Sequence, residues 1–200
     1  MSDNFTLPLP LYEKHGLGTL QSKNGDDFIV SIGLDRDLVS QLKERSRDMS
    51  DVDLQKNTSD LKRFGGDSYE DWYAKERTPY ALTDKNGTLA ALAWFGPKPL
   101  GRKSLRFLSE EELAKESQQE KNEWHTIVYR SYAPFRGIGI MTPFVRFSMD
   151  DYKKRYPGAK LWAGISTDNP SSMALAAKLG FKQDPKYVDA DAHWCAMVEV

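Results

Sequence analysis

Phe135-Arg136-Gly137-Ile138-Gly139-Ile140-Met141 separates two segments of different character. Before it, residues 124–132 are rich in aromatic and β-branched types and read as a strand. After it, an apolar-periodic run reaches about Arg155 and stops at Pro157-Gly158, which reads as a helix. Strand, glycine turn and helix together make a candidate anion site. The first N–H groups of a helix have no internal partner, and the helix dipole adds positive potential there. Glycines let the backbone approach a phosphate closely, and Arg136 can add a charge-assisted contact. A plain strand-to-helix turn is the other reading of the stretch. No Gly-x-x-x-x-Gly-Lys-Ser/Thr is present, which argues against a P-loop, and no Gly-x-Gly-x-x-Gly, which argues against a dinucleotide fingerprint.

About thirty residues on, after a strand expected over 161–166, comes Asn169-Pro170-Ser171-Ser172-Met173-Ala174-Leu175-Ala176-Ala177-Lys178-Leu179-Gly180-Phe181. Its residues 171–179 read as a short helix stopped by Gly180. This segment resembles the Asn…Ala/Ser…Leu-Tyr-x-Lys-Leu-Gly-Phe motif of the GNAT N-acetyltransferase superfamily. Arg136-Gly137-Ile138-Gly139-Ile140 is similar to that superfamily's Gln/Arg-x-x-Gly-x-Gly/Ala loop, in the same order and at the same spacing. The resemblance covers residues 124–181; over 25–100 only the order of elements is compatible.

The resemblance implies an α/β (α+β) fold with a mixed, strongly twisted central sheet, splayed middle strands and flanking helices. Acetyl-CoA, as co-substrate, is then expected in the opening between the splayed strands. The backbone of Tyr132, Ala133 and Pro134 would face its pantetheine arm. The amides of Arg136, Gly137, Ile138, Gly139, Ile140 and Met141 would hold the pyrophosphate. Asn169 and Ser172 would meet the far end of the pantetheine and the CoA phosphates. The implied activity is acetyl transfer to an amine by direct attack. The alternative is a catalytically weak or inactive acyl-CoA-binding or regulatory module of the same fold.

Two departures bear on that expectation. The superfamily loop ends in Gly or Ala, and here the place is taken by Met141. The motif tyrosine that protonates the leaving thiolate is replaced by Ala176, whose methyl group carries no acidic proton. A thiol of pKa about 8.5 can leave without an acid, and Tyr129 and Tyr187 are the alternative donors. For the base, the resemblance points to His125, whose ordinary pKa of about 6.5 suits the task. Glu123, two residues earlier, shares its side of the strand. Both also read as ordinary polar residues at a strand start.

Outward from this half the signals weaken. Residues 1–25, with prolines at 8 and 10 and glycines at 16, 18 and 25, read as an irregular arm before a single domain over 26–200. Phe28 to Ile32 is a short strand, and Asp35 caps a helix to about Arg47 with Leu38 and Leu42 on one face. A polar stretch follows, then a helix over 68–77. Residues 80–83 and 88–95 form a hairpin around Asp84-Lys85-Asn86-Gly87. Residues 96–122 are an excursion between strands, basic at Arg102, Lys103 and Arg106 and then acidic. Residues 187–188 and 193–200 close the chain as strands. Phe64, Trp72 and Tyr73 read as core or as an aromatic wall over the acceptor. His193 and Cys195 share a strand face, which a buried last strand also explains.

Lys plus Arg is 28 against 29 for Asp plus Glu, a balance that provides no electrostatic footprint for nucleic acid. The lone Cys195 excludes an internal disulfide and fits a reducing, cytoplasmic setting, and no metal site is expected. No apolar run approaches a membrane span. The expected partner is an amine acceptor, either a small molecule or a protein or peptide, and a homodimer is compatible with the sequence.

Overall fold

A computed structural model describes residues 5–103 and 123–200. Eight strands form one sheet: β1 (Lys14–Gln21), β2 (Asp27–Gly33), β3 (Thr78–Asp84), β4 (Leu89–Pro97), β5 (Trp124–Ser131), β6 (Lys160–Ser166), β7 (Phe181–Asp189) and β8 (Trp194–Glu199). Their spatial order is β1-β2-β3-β4-β5-β6-β8-β7. Every neighbouring pair is antiparallel except β5 and β6.

The helices are α1 (Arg36–Arg47), α2 (Val52–Asn57), α3 (Asp60–Phe64), α4 (Tyr69–Tyr73), α5 (Met141–Arg155) and α6 (Pro170–Lys178). They cover both faces of the sheet, so β3 and β4 are buried at nearly every position and not at alternate ones. On one face α5 buries Phe144, Val145, Met149 and Tyr152, spaced to line one side of a helix, against Phe95, Ile127 and Leu161. On the other, α1 buries Leu38 and Leu42, and Phe64, Trp72 and Tyr73 join them against Leu92 and Trp94. These three aromatics are therefore core. Phe64 and Trp72 meet edge-to-face at 5.0 Å, and Trp72 meets Trp94 at 5.5 Å.

Three expectations need correction. The arm over 1–25 is not irregular throughout, because β1 pairs with β2 along its length. A bulge between Gly16 and Gly18 sets Leu17 and Leu20 three apart, so the period-2 signal disappears although both pack on the core. The polar stretch after α1 holds α2 and α3, each too short and too sparsely apolar to show a period. The helix expected over 68–77 is only the single turn α4. The hairpin expected after residue 80 forms around Asp84, whose carboxylate accepts from the N–H groups of Asn86 and Thr88. Arg106 and most of the 96–122 excursion lie outside the described residues. Among the described residues no helix is long and apolar enough to cross a membrane, and no group of three or more His, Cys, Asp or Glu is placed to hold a metal ion.

Candidate active site

The site begins where two central strands part. β5 and β6 are paired only from Trp124↔Lys160 to Thr126↔Trp162. Beyond that β5 runs on to Ser131 against β4, and β6 runs on to Ser166 against β8. Between them lies a cavity of about 600 Å³. Its walls come from β5, from Gly164 of β6, from the N-terminal end of α5, from one side of α6 along its length, and from the α2–α3 segment on the other face.

Tyr132 donates its backbone N–H to the Ala90 carbonyl. The alternation of an antiparallel ladder then directs the backbone groups of Tyr129 and Ser131 away from β4, toward the opening. Their carbonyls are taken by Arg130 Nη1 at 2.9 Å and Arg136 Nε at 3.0 Å. Their N–H groups face the opening. Part of the segment expected to meet the pantetheine is engaged within the protein. The Tyr132 carbonyl accepts from Phe135 N–H, the Ala133 carbonyl accepts from Arg45 Nη1 at 2.5 Å, and Pro134 has no N–H.

The turn itself matches the anion-site pattern. Gly137 and Gly139 have φ of +80° and +77°, a region in which side chains are strained. The N–H groups of Arg136, Gly137 and Gly139 to Thr142 have no backbone acceptor among the described residues. Ile140 at the N-cap of α5 offers no side-chain cap, and the first turn carries no acidic residue. A 15-residue helix thus begins with bare amides at the edge of the cavity, with Met141 and Thr142 on the wall. Met141 also packs on the core, as thioethers do. The Ile138 carbonyl is held by Lys23 N–H at 3.1 Å, which ties the turn to the β1–β2 connection.

Arg136 is not a free phosphate ligand. It forms a two-pronged contact with Asp51, both bonds at 2.7 Å. Burial pushes the Asp51 carboxyl up, but Arg136 and the Leu54 N–H it caps outweigh this, and the group titrates below the usual carboxylate range. Arg136 therefore clamps α2 onto the turn. Asn169 caps α6 by accepting from Ser172 N–H at 3.0 Å, and both residues line the cavity.

The proposed proton-transfer residues are dispersed. His125 lies on the α5 face of β5, outside the cavity lining, with Nδ1 2.5 Å from the Tyr152 hydroxyl. Burial lowers its pKa against the opposing pull of Glu76. Glu123 is exposed and paired with Lys160 at 2.7 Å. Tyr187 packs over Gly101, away from the opening. Ala176 is fully buried in the core. Tyr129, by contrast, lines the cavity and reaches α6, where its hydroxyl donates to the Ser172 carbonyl at 3.0 Å and lies 3.1 Å from Ser172 Oγ. Burial raises its pKa to about 12, partly offset by the Ser172 bond. Cys195 is buried with Sγ 3.8 Å from Met173 Sδ, while His193 sits in a turn beside Asp168, so they form no nucleophilic pair. Lys103 pairs with Asp189.

The architecture as a whole superposes on several solved acetyltransferase structures. The GNAT domain of S. lividans PAT superposes with a TM-score of 0.60 at 11% identity, over 90% of this chain and 94% of that one. The chain has the GNAT fold. Mycobacterium smegmatis RimJ in complex with a CoA disulfide gives 0.58 at 17% identity, over 92% and 85%. RimL, a ribosomal L7/L12 α-N-protein acetyltransferase in complex with CoA, gives 0.58 at 16%, over 92% and 96%. No protein-family model matches the chain, and no curated protein matches it by sequence.

Within this GNAT fold, one cluster has no counterpart in the sequence patterns. Asp60, with no exposed surface, is shared by Arg63 Nη1 at 2.8 Å and Arg130 Nε at 2.8 Å, and Arg130 Nη2 adds a 3.3 Å contact. Both guanidiniums line the cavity and lie over the Trp94 ring, at 5.6 and 5.2 Å. Seventy positions separate Asp60 from Arg130, so no local spacing could have signalled it.

Proposed function

We propose that the protein binds acetyl-CoA in the opening between β5 and β6 and transfers the acetyl group to an amine by direct attack. The observation that carries this is the run of unpartnered N–H groups from Gly139 to Thr142 at the uncapped start of α5, beside a cavity that enters the splayed strands. Such a run suits a pyrophosphate. The relatives of this fold named above that hold CoA supply the cofactor class.

Acetyl-CoA brings the acyl group as an activated thioester. In the new bond the amine nitrogen joins the carbonyl carbon as the C–S bond breaks. The N–H groups of Tyr129 and Ser131 face the opening and take up charge developing on the carbonyl oxygen. The Tyr129 hydroxyl, held at Ser172 one helical turn before Ala176, is protonated at neutral pH as any phenol is, and it exchanges the Ser172 carbonyl for the departing sulfur as its acceptor. With a pKa about 12 against a thiol near 8.5, it stabilises the thiolate, and water completes the protonation. His125 and Glu123 stand outside the cavity and are not assigned the amine proton. The acceptor enters as the free amine, having given one proton to solvent, and the proton its nitrogen sheds as the amide forms passes through water to the thiolate.

The test is a thermal-shift titration with acetyl-CoA followed by CoA-release assays over an amine panel. Saturable stabilisation and turnover are expected. No stabilisation would sink the cofactor site, and stabilisation without turnover on any amine would leave the binding-module alternative. Tyr129→Phe is expected to lower kcat by about 10- to 100-fold, the range for one catalytic hydrogen bond. Its acetyl-CoA affinity should stay within about threefold. An unchanged kcat removes Tyr129 from the mechanism.

A further inference from the structure

Tyr129 and Arg130 are consecutive on β5, so their side chains take opposite faces of the sheet. Tyr129 reaches α6, on the side assigned above to the thiol. Arg130 reaches Asp60 of α3, and both it and Arg63 line the cavity beside Asn57, Thr58 and Ser59. With the phosphates at the α5 turn and the sulfur at Tyr129, the α2–α3 wall is left for the acceptor.

The chemistry of that wall is specific. One buried carboxylate serves two guanidiniums. Arg130 spends Nε and one Nη2 hydrogen on Asp60 and one Nη1 hydrogen on the Tyr129 carbonyl. Guanidinium carries five N–H groups, so one hydrogen remains on each terminal nitrogen, a fork suited to a carboxylate. Arg130 cannot turn away to solvent, because Asp60 fixes it from one side and the Trp94 ring lies beneath it. A pre-oriented, largely desolvated guanidinium is costly for a purely cationic acceptor to approach and favourable for an anionic one.

We propose that the acceptor carries a carboxylate close to its amine, and that Arg130, positioned by Asp60 and Trp94 and assisted by Arg63, receives it. This rests on the acetyl-transfer reading. The amine would then be placed toward β5 by a group remote from the reacting nitrogen, which is how binding contributes orientation.

The experiment uses pairs of amines differing only in the carboxylate: L-methionine against 3-(methylthio)propylamine, and L-phenylalanine against 2-phenylethylamine. CoA release gives kcat/KM for each, and the thermal shift of the CoA-saturated protein gives binding. The carboxylated member should exceed its partner by about 10- to 100-fold in kcat/KM, the range for hydrogen bonds to a charged group, or should be the only one that stabilises the CoA-bound protein. In Arg130→Gln the ratio within each pair should contract about tenfold or more. Because both members report on the same folded fraction, partial unfolding does not move that ratio. Equal or reversed ratios overturn the proposal, as does a ratio unchanged in Arg130→Gln. Absence of any reaction or binding by either member of both pairs also overturns it, while acetyl-CoA stabilisation in the same assay keeps the cofactor reading intact.

Discussion

Asp60→Ala is expected to lower the unfolding free energy by about 3–5 kcal/mol, the cost of removing one partner from a buried ion pair. Asp60 has no exposed surface, and its two arginine side chains are each only 16% exposed. Without the carboxylate, two guanidiniums would face each other across a small void. Neither can relax easily, since both lie over Trp94, itself 2% exposed, and Arg130 is also bonded to its neighbour's carbonyl. Asp60→Asn keeps the shape but sets an amide N–H₂ against a guanidinium, so it should recover only part of the loss. Urea denaturation followed by tryptophan fluorescence measures both, with a lower midpoint and an unchanged slope as the sign of a pure stability change. A loss under about 1 kcal/mol for the alanine variant would show that the cluster is solvated and not a buried pair, and would weaken the claim that Arg130 is pre-oriented.

The contrast between this cluster and the phosphate turn explains what was legible in the sequence. The turn and α6 are local: Arg136 to Met141 and Asn169 to Phe181 carry their glycines, cap and helix stop within a few residues. Their geometry follows from short-range rules such as positive φ at Gly137 and Gly139. The hairpin around Asp84 was readable for the same reason. β1 was not, because a bulge and two glycines erased its period. Nor were α2 and α3. They are held by Asp51 on Arg136 and Asp60 on Arg130, pairs that only the folded sheet brings together. His125 shows the opposite error. Its ordinary pKa invites a catalytic role, but its side chain alternates onto the α5 face and meets Tyr152, which the strand position alone does not reveal. Tyr129 was readable only as a guess, because its closeness to Ser172 depends on how α6 lies across the opening.

The phosphate turn also allows the sharpest test of the cofactor site. Gly139→Val is expected to weaken acetyl-CoA binding by at least about 100-fold while costing only about 1–2 kcal/mol of stability, the penalty for a side chain at positive φ. Gly139 has φ +77°, and a Cβ there would lie 2.6 Å from Lys23 Cγ and Cδ. The lysine stem can move, so the clash is cheap to relieve, but the backbone is not. Lys23 N–H holds the Ile138 carbonyl, and α5 begins at Met141, so the chain is fixed on both sides. A β-branched residue escapes by rotating φ to negative values, which turns the neighbouring amides away from a common focus. Gly139→Asn tolerates the left-handed region and should bind within about tenfold of the parent. Gly158→Ala, at a position with open space and no positive φ, should bind unchanged. Calorimetric titration of the three variants, beside their melting temperatures, separates loss of the amide array from loss of fold. If the valine variant binds acetyl-CoA as the parent does, the pyrophosphate is held elsewhere and the bare amides of α5 serve another anion.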